Sequence, residues 1–190
     1  NCGDVMQDAA LFYANKAQHP DFLLPEHFIL ATLHRAENTD SPERLQSIIA
    51  ALEEIAREMP VVIPIHPRTR KKLQELNFNF KQTRLQLVDP VGYLEMVYLL
   101  KHCSLVATDS GGLQKEAYFF KKYCITLRTE TEWVELVEQG ANIITGWRYE
   151  DILNSYKQLK HTTKDVFSSP LYGDGQAGHI IIRELQRIDS

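Results

Sequence analysis

Several common chemistries are missing from this sequence. No apolar run approaches the roughly 18 residues needed to cross a bilayer. Cysteine is scarce: Cys2, Cys103 and Cys124 fit no zinc spacing, and an odd count leaves one over from any pairing. Cys103 and Cys124 lie in apolar segments, so buried free thiols and a reducing compartment are expected. Positive charge is not in excess: 21 Lys and Arg face 25 Asp and Glu, for a formal charge of −4. That balance argues against a general nucleic-acid or membrane-surface binder, while a local basic patch for a small anion stays possible. There is no G-x-x-x-x-G-K-[ST] loop and no strong G-x-G-x-x-G, which argues against an ATPase or a dinucleotide dehydrogenase. Ser110 is outside any G-x-S-x-G elbow, so a hydrolase nucleophile is not expected. Repeats, low-complexity tracts and a visible signal peptide are lacking too. The first residue is Asn1 rather than methionine, and a processed protein or an excised fragment is expected.

What is present is alternation. The 190 residues are 44% hydrophobic, enough for a sizeable core and most simply one domain. Short apolar runs at 28–33, 61–65, 85–88, 104–107, 123–127 and 142–145 read as strands, rich in Val, Ile and Leu and without polar alternation. Between them lie helical stretches at 3–17, 42–59, 69–76, 93–102, 113–120, 133–139 and 149–160, with a last helix from Gln176 to about Ile188. The clearest helix opens at Ser41-Pro42, serine as N-cap and proline in the first turn. Leu45, Ile48, Ile49, Leu52, Ile55 and Met59 make its apolar face. Six strands alternating with helices predict an α/β fold: a Rossmann-like parallel sheet flanked by helices.

Polar residues cluster where strands end. The clusters are His34-Arg35-Ala36-Glu37, His66-Pro67-Arg68, Asp89-Pro90, Asp109-Ser110-Gly111-Gly112 and Arg128-Thr129-Glu130-Thr131-Glu132. In an open parallel sheet these carboxyl ends share one edge, where ligands bind. Residues distant in sequence therefore converge on one site containing histidines, arginines and carboxylates. Such a set suits an anionic, hydroxyl-bearing ligand, because histidine and arginine neutralise phosphate.

At the centre stands the run from Thr108 to Ala117. Ser110, Gly111 and Gly112 sit between a strand and a helix, where free backbone N–H groups meet a phosphate closely. They equally suit a tight strand-to-helix turn. Glu116 lies one helical turn on and can accept from two vicinal hydroxyls of a ribose, or can be a solvated carboxylate. His34, beside Arg35 and Glu37, is placed to bind a phosphate or pass a proton. His66 is a lesser candidate for ligand contact.

Taken together, Thr32-Leu33-His34-Arg35-Ala36-Glu37-Asn38, Ile65-His66-Pro67, Asp89-Pro90 with Tyr93-Leu94, Thr108-Asp109-Ser110-Gly111-Gly112 with Gln114 and Glu116, Arg128 with Thr131-Glu132, and Tyr172-Gly173-Asp174-Gly175-Gln176-Ala177 resemble the non-hydrolysing UDP-N-acetylglucosamine 2-epimerases. The motifs follow the family's order over nearly the whole chain. The resemblance implies a GT-B architecture of two Rossmann-like halves. Residues 1–190 then look like the C-terminal, UDP-binding half, with the N-terminal half that carries the acid/base carboxylates absent.

By that resemblance, Ser110, Gly111, Gly112 and His34 approach the diphosphate, and Glu116 holds the ribose hydroxyls. Uracil is read near Met96, while Arg35, Glu37, Arg128 and Glu132 line the cleft. His66 maps to a second, allosteric substrate site. The ligand implied is UDP or a UDP-sugar, with no cofactor and no metal. The partners implied are the missing half and, in the full-length protein, a homodimer. Absent targeting signals and the UDP-sugar pool point to the cytoplasm. Two departures bear on the sugar. Many family members carry a second arginine where this chain has Ala36, and Glu-Arg-Pro-Glu where it has Glu132-Trp133-Val134-Glu135. Both resemble a subgroup that includes epimerases of diacetamido-uronic acid UDP-sugars. Rival readings are the donor-nucleotide half of a GT-B glycosyltransferase and a non-catalytic UDP-sugar sensor.

Overall fold

The structure, a computed structural model, describes residues 1–188; Asp189 and Ser190 at the end of the 1–190 span lie outside the described residues. Six strands form one parallel sheet: β1 (Ile29–Thr32), β2 (Val61–Pro64), β3 (Gln86–Val88), β4 (Leu105–Thr108), β5 (Cys124–Thr126) and β6 (Asn142–Ile144). Their order is β3-β2-β1-β4-β5-β6, every pair parallel. The predicted Rossmann-like sheet is therefore present, in the doubly wound order with β1 and β4 at its centre.

Side-chain alternation divides the core between the two faces. Ile29, Ala31, Val61, Ile63, Ala107 and Ile125 point to one cluster. Against them pack Leu45, Ile48 and Leu52 of α3 (Pro42–Ile55) and Ile152 and Tyr156 of α8 (Tyr149–Lys160). Leu30, Val62, Val106 and Cys124 point the other way, onto Leu99 and Leu100 of α5 (Tyr93–His102) and Leu113 and Ala117 of α6 (Gly111–Phe119). Both faces are covered, which is why the strands read as largely apolar runs without polar alternation. Cys103 and Cys124 are buried free thiols, as expected, and desolvation pushes the Cys103 thiol up to about 12.

A second layer lies over α5 and α6. It consists of α1 (Val5–Ala14), contacting both, and α9 (Ala177–Ile188), which rests on α1. The Asp8 carboxylate accepts from the amides of Ala177 (3.1 Å) and Gly178 (2.7 Å), so α1 caps the start of α9. Asp4 caps its own helix through the Met6 amide at 2.7 Å.

Helix boundaries differ from the sequence reading in instructive places. The stretch after β1 is not plain loop: Ala36–Thr39 forms a single helical turn, α2. The helix expected from Thr69 starts at Pro67 (α4, Pro67–Glu75), with the His66 ring accepting the Arg68 amide as its cap. The helix expected from Leu113 starts at Gly111, with Ser110 as N-cap. In each case a residue read as strand-end chemistry also begins a helix. The first helix ends at Ala14, short of the expected 17. A short helix, α7 (Val134–Glu138), precedes β6.

Candidate functional site

The chain leaves β1 toward β2 and leaves β4 toward β5, in opposite directions. A crevice opens at that divergence, beyond the carboxyl ends of the two central strands. Thr32 and Thr108 are paired in register there, their hydroxyls 2.6 Å apart. The Thr108 hydroxyl also accepts the Ser110 amide at 2.9 Å, which turns the chain from strand into α6.

The cleft at this point measures about 360 Å³. Six of the residues singled out in the sequence line it: His34, His66, Met96, Ser110, Gly112 and Glu116. They come from four strand ends, or the helices just beyond them, which is the convergence the strand-end clusters predicted. The N-terminus of α6 faces the cleft. Ser110 spends its hydroxyl on the Leu113 amide at 3.4 Å, so the earlier amides, those of Gly111 and Gly112, are the ones without an intrahelical partner. Neither glycine has positive φ. A side chain at Gly112 would meet only the Met6 methyl, at 3.9 Å, so the protein itself leaves that position open.

Glu116 sits deep in the cleft wall. Burial pushes its carboxyl above the ordinary range, and the nearby Tyr93 hydroxyl pulls the other way. Burial, with the adjacent Glu116 carboxylate behind it, pushes Tyr93 up to about 12. Tyr93 stands edge-on to Tyr13 of α1, ring centroids 5.5 Å apart.

Arg35, Glu37, Arg128 and Glu132 do not line the cleft; they form a charged network on its rim. Arg128 is 6% exposed; its Nη1 donates to Glu132 at 2.8 Å, and its Nε lies 3.6 Å from Glu37 without a hydrogen-bond partner. That hydrogen bond holds Glu132 below the usual carboxylate range and Arg128 above its own. Arg35 reaches Glu132 at 3.8 Å. Gly111 joins this side: its carbonyl accepts from the Trp133 indole at 2.8 Å, and a side chain on it would meet Glu132 at 3.2 Å. Arg128 and Glu132 lie in the chain beyond β5, one strand removed from the crevice, and Arg35 and Glu37 meet them from beyond the end of β1.

Thr32, Leu33, Pro90 and Leu113, which belong to the motifs named in the sequence, also line the cleft, as do Pro64 and Val91, which do not. Pro64 and Val91 are apolar neighbours of strand ends, so the strand-end rule could have found them had it not been limited to polar clusters. Gln114, 1% exposed, is a hidden tie. It accepts from Thr131 (2.6 Å) and Asn142 (3.0 Å) and donates to the Ser110 carbonyl (3.2 Å), fastening the site loop to the rim and β6. Among the described residues no cluster of His, Cys, Asp and Glu could hold a metal ion, and no helix is long and apolar enough to cross a membrane.

Known proteins resemble this chain in sequence and fold. The chain is 51% identical, over 99% of its length, to the UDP-2,3-diacetamido-2,3-dideoxy-D-glucuronate 2-epimerase of Pseudomonas aeruginosa, of which it covers 52%. It is 39% identical over 99% of its length to a UDP-N-acetylglucosamine 2-epimerase homolog of Methanococcus maripaludis, of which it covers 54%. In structure it resembles the Methanocaldococcus jannaschii UDP-GlcNAc 2-epimerase solved with UDP-GlcNAc and UDP. The TM-score is 0.86 at 36% identity, covering 97% of this chain and 54% of that one. The chain thus spans about half the length of the relatives it matches, and its fold is that of one half of a GT-B architecture. The family profile for UDP-N-acetylglucosamine 2-epimerase matches residues 1–186, and the chain belongs to that family.

Proposed function

We propose that residues 1–190 are the C-terminal, UDP-binding half of an enzyme that inverts C2 of a UDP-N-acetylhexosamine by eliminating and re-adding UDP. The observation that carries this reading is the convergence of His34, the N-terminus of α6 and Glu116 in one cleft at the sheet's switch point. An anion-binding helix end and a hydroxyl-binding carboxylate then sit one helical turn apart, as a nucleoside diphosphate requires.

In this reading the amides of Gly111 and Gly112, Ser110 and His34 take the diphosphate, Glu116 the ribose hydroxyls, and the Met96 segment the uracil. His66 borders the same cleft. Arg35, Glu37, Arg128 and Glu132 tune the rim toward the sugar. A base removes the C2 proton while the C1–O bond breaks, and its electron pair leaves on UDP. The resulting glycal takes a proton on its other face and UDP re-adds at C1. Oxidation state is unchanged overall, so no redox cofactor is needed. Stabilising the charge that grows on the departing diphosphate is the part this half performs.

The acid/base carboxylates belong to the other half, so this chain alone binds UDP without epimerising. That other half docks on the outward face of α1 and α9, where Phe12, Ile182 and Leu185 stand exposed. With it the enzyme works in the cytoplasm on precursors of surface polysaccharide, as a homodimer. Ala36 and Trp133-Val134, with the likeness to the Pseudomonas aeruginosa enzyme, favour a diacetamido-uronic acid UDP-sugar over UDP-N-acetylglucosamine.

Calorimetric titration of the 190-residue chain with UDP tests the site. Binding is expected, with affinity reduced tenfold or more, about 1.4 kcal/mol, in both His34→Ala and Glu116→Ala. Unchanged affinity in both well-folded variants would reject it.

A further inference from the structure

Asp109 is fully buried beneath the cleft, at 0% exposure. A carboxylate stripped of water needs donors in its place. Its donors come from the segment that follows β1. The His34 amide reaches Oδ1 at 3.1 Å and Oδ2 at 3.2 Å, the Arg35 amide reaches Oδ2 at 3.0 Å, and Asn38 Nδ2 reaches Oδ2 at 3.2 Å. Asn38 is itself buried and donates to the Leu127 carbonyl at 2.9 Å, which ties the cradle to the chain just past β5. The same Oδ1 that receives the His34 amide lies 3.3 Å from His34 Nδ1. Among the described residues, that ring is the ion-pair partner of Asp109. The His34 side chain is 47% exposed and lines the cleft.

We propose that Asp109 is a positioning residue for His34: it keeps Nδ1 as the protonated ring nitrogen, so that Nε2 is the one offered to the ligand's phosphate. The proposal rests on the reading of His34 as a diphosphate contact. An ionised carboxylate only accepts. Facing Nδ1, it favours the tautomer with hydrogen there and disfavours one that turns a lone pair toward it. Nε2, on the far side of the ring, is left for the cleft. An anionic phosphate needs a donor, which Nε2 supplies when the ring carries hydrogen on both nitrogens, with Nδ1–H still facing Asp109. No bond to Asp109 forms or breaks. At 3.3 Å the ring nitrogen and the carboxylate are within ion-pair distance but not aligned as a hydrogen bond, and such contacts commonly tighten when the ligand arrives. The backbone bonds serve the same end: ring and loop are fixed by one carboxylate, so the nitrogen is aimed as well as polarised.

The deciding measurement is long-range proton–nitrogen NMR of the ¹⁵N-labelled 190-residue chain, with His34 assigned by loss of its signals in His34→Gln. At alkaline pH, where the ring is neutral, His34 is expected as the Nδ1–H tautomer, and adding UDP is expected to shift Nε2 most. An Nε2–H tautomer, or rapid averaging of the two, would overturn the proposal. Asp109→Asn keeps the shape and an acceptor for the amides but turns a donor toward the ring or the loop. It is expected to move His34 toward the Nε2–H tautomer and to weaken UDP about tenfold, the order of one charged hydrogen bond. Weakened binding with the tautomer unchanged would reduce Asp109 to a loop brace and overturn the proposal. Should the variant fail to fold, the tautomer in the parent still decides. If His34→Ala leaves UDP affinity intact, the diphosphate reading fails separately, whatever the tautomer proves to be.

Discussion

The Lys115 ammonium of α6 is ion-paired with the Asp4 carboxylate, 111 residues earlier in sequence, and both are largely buried. The same ammonium lies 4.2 Å from the Trp133 ring centroid and 4.8 Å from that of Tyr172. One cation thus gathers the N-cap of α1, the site helix, the rim and the C-terminal segment. Removing one partner of a buried pair leaves an uncompensated charge, typically a loss of about 3–5 kcal/mol. Asp4→Ala is expected to fall in that range by urea unfolding. Replacing both, Asp4→Ala with Lys115→Met, should recover a large part of it, since methionine needs no counter-ion and still packs on the rings.

Gly112→Ala separates ligand approach from folding. The added methyl meets only Met6, and alanine is favoured over glycine inside a helix by about 1 kcal/mol. Stability should hold or rise. UDP affinity should drop at least tenfold, because the methyl occupies the path of the phosphate to the amides. Equal affinity by calorimetry would move the diphosphate elsewhere.

Glu116 gives opposite pH slopes for stability and binding. Burial raises its carboxyl above the ordinary 4.5, so the folded chain holds that proton more readily than the unfolded one. The stability contributed by protonated Glu116 is present below the unfolded value and is lost as pH rises through the raised one. UDP affinity runs the other way, because the ionised carboxylate is the better acceptor for two ribose hydroxyls. Tyr93→Phe removes the nearby hydroxyl that holds Glu116 down. It should move the affinity loss to higher pH, as read from UDP titrations across the acid range.

The face of α1 and α9 predicts behaviour in solution. Val5, Phe12, Ile182 and Leu185 are each more than half exposed, on two helices that touch. Apolar patches of this kind drive association. Sedimentation of the 190-residue chain should depend on concentration, and Phe12→Ser with Leu185→Glu should abolish that dependence while leaving UDP binding intact.

The sheet was legible because strands covered on both faces are mostly apolar, and here polar residues stand only at strand ends, such as Gln86, Asn142, Thr32, Thr108 and Thr126. The cleft's position was legible too, because in a parallel sheet strand ends must share an edge. Less was readable where one residue does two tasks. His66 and Ser110 were read as strand-end chemistry, and their role as helix caps, which sets the start of α4 and α6, went unseen. Sequence order could not say which strand ends lie beside the crevice. Arg128 and Glu132 therefore looked equivalent to His34, although they lie beyond β5, on the rim. Asp109, Gln114 and Lys115 act through burial and partners far away in sequence, and no local pattern carries that information.

The crevice opens between β1 and β4, the two innermost strands, whose backbones are paired on both sides. Amides there are expected to exchange with solvent last, through global opening rather than local fraying. The loops that grip the ligand grow directly from this slowest part of the molecule. A ligand held there orders little that was loose around β1 and β4, while Pro90, Val91 and Met96 beyond β3 and the Gln114–Asn142 tie to β6 make the outer strands part of the same wall.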